Sequence, residues 1–169
     1  MDLRVSILTV SDRSSRGERP DTSGAALKSI AEQQRWQIIE TAIVPDETIQ
    51  IAGKLADWAD SGRCDLILTT GGTGFTARDV TPEATLSIIE RQTPGITQAI
   101  LIESLKITPH AMLSRATSGI RAHTLIINFP GSPKAAVENL NIILPALPHA
   151  IELLRGEPGA EAGHRKIIG

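Results

Sequence analysis

The sequence predicts an α/β fold built on a mostly parallel sheet with helices covering both faces. Three observations carry that expectation. Four short apolar runs rich in β-branched residues recur along the chain, stretches with helical periodicity lie between them, and 169 residues of 41% hydrophobic content suit one substantial core. Parallel neighbours need crossover connections, and the intervening helices supply them.

The strands are expected at 4–10, 37–44, 65–70 and 124–129. In the last two, the near-continuous apolarity of "LILTT" and "TLIINF" predicts burial on both sheet faces. A helix over 23–35 places Ala26, Leu27, Ile30 and Ala31 on one face, and a helix over 48–61 does the same with Ile51, Leu55 and Trp58. "VTPEATLSIIE" offers Thr81 as an N-cap and Pro82 at the first helical position, and "GSPKAAVENLNII" repeats that start with Ser132 and Pro133. Further helices are expected at about 95–106 and 145–154, and the stretch "TPHAMLSRATSGIRAH" leaves room for another short strand. Residues 1–155 read as one domain without internal repeat or linker, and 156–169, rich in glycine and charge, read as a flexible C-terminal tail.

Composition narrows the function. A net charge of −2, two Phe, two Trp and no Tyr provide neither a basic field nor a stacking platform, so no nucleic-acid partner is expected. The N-terminus lacks a basic leader and a cleavage-like site, and no apolar run approaches the ~20 residues of a membrane span, so the expectation is cytoplasmic, with no membrane association. Cys64, at the mouth of a buried strand, reads as a small hydrophobe. His110, His123, His149 and His164 are too scattered to suggest a zinc site.

Each predicted strand runs into a polar loop: "SDRSSRGERPD", "PDE", "GGTGFTARD" and "PGSPK". In an open parallel sheet these loops share the carboxyl edge, where ligands bind. The first is long for a simple connection, which favours a binding role. Gly71, Gly72 and Gly74, with Thr73 among them, either form a tight turn at positive φ or bring backbone N–H groups around a phosphate. Phe75 and Thr76 stand where a Walker A loop needs Lys and Ser or Thr. The spacing of Gly72, Gly74 and Ala77 fits a dinucleotide fingerprint only formally, because the next helix starts late.

Asp46 and Asp79 each fit a helix cap. Together, beside an anion cradle, two carboxylates would repel a phosphate unless a hard cation stood between them. Mg²⁺ held by one or two carboxylates together with substrate phosphate resolves that conflict and points to metal-assisted nucleotide chemistry. Arg13, Arg78 and Lys134 place cations in three of the loops, and Arg115 adds one in the less readable segment. Ser114 and Ser132 are weaker polar candidates, and no side-chain pair suggests a covalent nucleophile.

At "LTTGGTGFTARDVTPEAT", with "VSDRSSRG", "VPDE", "AMLSRATSGIR" and "LIINFPGSPKA", the chain resembles the MogA/MoaB family of molybdenum cofactor biosynthesis and the related G domains of gephyrin and its plant counterpart. The resemblance spans about residues 3–155 and implies a three-layer α/β/α sandwich. It implies a molybdopterin adenylyltransferase that uses MgATP, releases pyrophosphate and needs Mg²⁺. By family motif Asp46 and Asp79 become the catalytic and metal-linked positions. Ser11, Asp12, Arg13, Gly71, Gly72, Thr73, Gly74, Arg78, Ser114, Pro130, Gly131, Ser132 and Lys134 become the substrate-binding set. The resemblance further implies a homotrimer or a hexamer, hand-over to a MoeA-like insertase, and, as the alternative activity, a MoaB-like molybdopterin carrier without efficient adenylylation.

Overall fold

The computed structural model describes residues 2–158 and 160, so all but four positions of the tail expected at 156–169 lie outside the described residues, as does His164. The chain runs β1 (Arg4–Val10), α1 (Asp12–Ser15), α2 (Thr22–Gln33), β2 (Gln37–Val44), α3 (Thr48–Asp60), β3 (Leu66–Thr70), α4 (Thr81–Leu86), β4 (Arg91–Gln92) and α5 (Pro94–Leu105). A 3₁₀ turn at Pro109–Leu113 leads to β5 (Ser118–Arg121), β6 (Thr124–Phe129), α6 (Pro133–Ile143) and α7 (Leu147–Arg155).

Among the described residues the strands form one sheet in the order β2-β1-β3-β6-β5-β4. The first four in that order are mutually parallel, and β5 and β4 add an antiparallel edge. The strands expected from the sequence are the parallel ones. The extra strand expected in the middle segment exists as β5, and β4 pairs with it through Arg91 opposite Ile120 and Gln92 opposite Gly119.

Alternation along the strands splits the core into two apolar layers. Val5, Ile7, Leu66, Leu68, Leu125 and Ile127 face Leu27, Ala31, Leu140 and Ile151 of α2, α6 and α7 on one side. Leu8, Val10, Ile67 and Ile126 face Ile51, Leu55 and Trp58 of α3 on the other, where Cys64 is buried as the small hydrophobe expected. Helices thus cover both faces of the sheet, giving three layers. Because the four parallel strands point the same way, Ser11, Pro45, Gly71 and Pro130 all leave the sheet at one edge. Hydrogen bonds from Ser11 N to Val44 O (2.9 Å) and from Gly71 N to Phe129 O (3.1 Å) tie those exits together.

Candidate active site

The glycine loop begins with two residues that only glycine tolerates. Gly71 and Gly72 have φ of 100° and 64°. A Cβ on Gly71 would run into the Val10 carbonyl, and one on Gly72 would meet the Thr81 hydroxyl and, at 3.1 Å, Asp46 Oδ1. The tight-turn reading of these glycines is therefore correct, and it coexists with a second property of the loop. Its carbonyls are all occupied: Thr81 Oγ1 donates to Gly71 O (2.9 Å), Thr81 N to Gly72 O (3.0 Å), Arg115 N to Thr73 O (2.9 Å) and Arg115 Nε to Gly74 O (2.6 Å). The N–H groups of Gly72, Thr73, Gly74 and Phe75 have no acceptor among the described residues. Successive unclaimed N–H groups of this kind form a concavity for anions.

Neither aspartate caps a helix. The residue preceding α3 is Glu47, without a side-chain cap bond, and Asp46 Oδ2 instead accepts from Asp12 N at 2.8 Å while Asp46 N donates to Asp12 Oδ1 at 3.1 Å. Asp79 Oδ2 accepts from Thr76 N (2.8 Å) and Thr76 Oγ1 (2.7 Å) and lies where a Cβ on Gly74 would come within 3.0 Å. The expected cap Thr81 is itself the first residue of α4, with Val80 before it, because its hydroxyl is committed to the loop. The strands behind Asp46 and Asp79 are not neighbours, since β1 lies between β2 and β3. The two carboxylates nonetheless feel one another. Burial pushes the Asp46 carboxyl up, and the charges of Asp12 and Asp79 add to that against the opposing Asp12 N–H and Arg78.

Arg78 crosses this acidic ground. Its Nε and Nη2 bond both Asp12 oxygens at 3.0 and 2.9 Å, and Nη2 also reaches Glu47 Oε1 at 2.8 Å. The guanidinium hydrogen bond is the main reason the Asp12 carboxyl lies below its ordinary value, and the same partners raise Arg78. Arg78 and Asp12 therefore neutralise each other in this state.

Two clefts meet at the loop. One, of about 390 Å³, is lined by Ser11, Asp46, Gly71, Gly72, Gly131 and Ser132, and its far wall is the start of α2 with Asp21 and Ser23. The other, of about 400 Å³, takes Thr73, Gly74, Ser114 and Pro130 from the predicted set and is otherwise walled by apolar residues such as Ile100 and Leu113 together with polar ones such as Gln98, His110 and Glu138. Arg13 is exposed on α1, and Lys134, with an 83% exposed side chain, pairs with Glu138 at 3.9 Å; neither lines either of these two clefts. Sequence reasoning passed over Arg19, which supplies a cation to the first cleft, and over Asp21, whose Oδ1 caps α2 through Gly24 N (2.8 Å) while Oδ2 accepts from Thr9 Oγ1 (2.6 Å). The signal for Asp21 was present as Asp ahead of a helical repeat.

Residues 6–149 match the family described as a probable molybdopterin binding domain. The chain belongs to this family. A molybdopterin adenylyltransferase of Helicobacter pylori is 40% identical over 156 residues, covering 91% of this chain and 89% of the relative. The gephyrin of Dictyostelium discoideum is 48% identical over 164 residues, but this chain spans only 23% of its length. The crystal structure of MoaB from Thermus thermophilus, described as a molybdopterin biosynthesis enzyme, superposes with a TM-score of 0.86 at 47% identity, covering 92% of this chain and 98% of that one. Members of the molybdopterin-binding family thus share both the sequence and the three-layer architecture with this protein.

Proposed function

We propose that this protein is a molybdopterin adenylyltransferase of molybdenum cofactor biosynthesis. The observation that carries the reading is the division of consecutive loop residues between two clefts, Gly71 and Gly72 in one and Thr73 and Gly74 in the other, beside two carboxylates. Such a junction suits a reaction that brings two anionic substrates together, and the relatives supply the substrate class.

In this reading the terminal phosphate oxygen of molybdopterin attacks the α-phosphorus of ATP. An O–P bond forms, the bond from the α-phosphorus to the bridging oxygen breaks, and pyrophosphate leaves. The chain positions rather than bonds to the reactants. Unclaimed N–H groups of Gly72 to Phe75 receive phosphate oxygens, Arg19 adds a cation to the first cleft, and the second offers a mixed wall in which Ile100, Leu101 and Leu113 give apolar contact. Asp46 and Asp79 fit a Mg²⁺ ion, because the half-buried Asp46 carboxylate, pushed up first by its burial and then by the charges of Asp12 and Asp79, gains from a cation. A Mg²⁺ ion held by these two carboxylates would complete its shell with phosphate oxygens and water. Bound there, Mg²⁺ would neutralise phosphate charge and polarise the phosphoryl group.

The test follows adenylyl-molybdopterin and pyrophosphate together, with MgATP and with the metal chelated. Product in the first case and none in the second is the expected result. Molybdopterin binding without product would favour a MoaB-like carrier instead. The proposal extends to a homotrimer, with a hexamer as the larger assembly, acting in the cytoplasm and passing its product to a MoeA-like insertase. No helix among the described residues is long and apolar enough to cross a membrane.

A further inference from the structure

Arg115 lies outside the carboxylate cluster, on the segment following the 3₁₀ turn that walls the second cleft. Its bonds all run to the glycine loop and to the start of α4. The main-chain N–H takes Thr73 O, Nε takes Gly74 O at 2.6 Å, Nη2 takes Asp79 O at 2.5 Å, and Nη1 pairs with the Glu83 carboxylate. Gly74 and Asp79 are the two ends of the excursion that carries Phe75, Thr76, Ala77 and Arg78. The guanidinium fork therefore staples that excursion at its base, a geometry that a planar five-donor group can meet and an ammonium cannot.

Everything downstream hangs from the staple. Arg78, on the excursion, holds Asp12, and Asp12 exchanges reciprocal hydrogen bonds with Asp46. Asp79, at the end of the excursion, brings its carboxylate beside Gly74. By occupying the carbonyls of Thr73 and Gly74, Arg115 also leaves the N–H groups of this stretch for a ligand. Neighbouring Ser114 lines the second cleft, so the same segment contacts one substrate space and shapes the other.

We propose that Arg115 is a positioning residue for phosphoryl chemistry at this site, setting the separation of Asp46 and Asp79 and the orientation of the loop N–H groups without touching substrate. The inference rests on the adenylyl-transfer reading for its rate measurement but not for its binding measurement. In the full chain, Arg115→Ala and Arg115→Lys are compared with wild type for melting temperature, for molybdopterin affinity, and for kcat and KM with MgATP. Both variants should lose roughly 10²-fold in kcat with a much smaller change in KM, because the misplacement acts mainly on the transition state. Added millimolar guanidinium should restore Arg115→Ala saturably and leave wild type unchanged. Wild-type kcat in either folded variant overturns the proposal, as does a loss that only tracks the fall in melting temperature and resists guanidinium. Should Arg115→Ala fail to fold, Arg115→Lys decides, by a kcat loss at near-wild-type melting temperature or by wild-type kcat. If wild type forms no adenylyl product, the activity reading fails on its own. Arg115 is then judged by molybdopterin affinity, which Arg115→Lys should weaken, and unchanged affinity overturns the inference.

Discussion

Asp46 and Asp79 show how one residue type acquires its role from its neighbours. As isolated acids each could cap a helix, yet the donors they find are Asp12 N for one and Thr76 for the other, which leaves both carboxylates beside the glycine loop. Replacing either by Asn removes the charge at nearly constant size. Asp46→Asn and Asp79→Asn should each lower Mg²⁺-dependent turnover by roughly 10²-fold or more while the fold persists. If both serve one metal-dependent step, the double variant should cost less than the product of the two single losses. Wild-type rates in both folded single variants would remove the two-carboxylate mechanism.

At the scale of elements, the loop is supported from beneath by a buried polar chain linking β6, α4 and β3. Asn128 Nδ2 donates to Thr69 Oγ1 and Thr85 Oγ1, both at 3.0 Å. Thr85 Oγ1 donates to Thr81 O at 2.9 Å, and Thr81 Oγ1 closes on Gly71 O at 2.9 Å. All four side chains are buried, so every link replaces a hydrogen bond to water that is out of reach. Thr81→Val keeps the shape of the side chain but strands the Gly71 carbonyl. We expect a loss of about 1–3 kcal/mol in urea denaturation, together with slower turnover as the loop loosens. A variant as stable as wild type would mean that the Gly71 carbonyl finds another donor.

For the whole molecule, a buried ion cluster joins the two ends of the described chain. Asp65, 2% exposed, accepts from Arg4 N, Nε and Nη2 at the start of β1 and from Arg155 Nε and Nη2 at the end of α7. Burial alone would raise the Asp65 carboxyl, but the hydrogen bonds from Arg4 and Arg155 outweigh it and hold it well below the usual carboxylate range. A depressed folded value stabilises the protein above the unfolded value of about 3.9, and that contribution fades as pH falls below it. Asp65→Asn should therefore cost about 2 kcal/mol at neutral pH, since the two stranded guanidinium groups keep some access to water. The gap from wild type should narrow at pH 3, and a gap that is constant or widens on acidification would contradict this account. The assembly is a second whole-molecule question. Ile102, Ile107 and Met112, each at least 60% exposed, lie on α5 and around the 3₁₀ turn, an apolar surface of the kind buried between subunits. Light scattering should return three times the 18.0 kDa chain mass, or six times it for a hexamer. A monomer mass at all concentrations would reject the assembly.

Local pattern was enough to place the strands Arg4–Val10, Gln37–Val44 and Thr124–Phe129, the Ser132–Pro133 start of α6, and the four loops at one sheet edge. Apolar periodicity and cap chemistry act over a few residues and can be read over a few residues. The pairing of β4 with β5 could not be read this way, because two and four residues carry no period and the contact depends on a partner strand. The same holds within the site. Thr81 leaves its expected cap position for Gly71 O, and Arg115 reaches a carbonyl 41 residues away at Gly74. Each of these outcomes is a competition between distant donors and acceptors for one another, and only the folded chain brings the competitors within hydrogen-bonding distance.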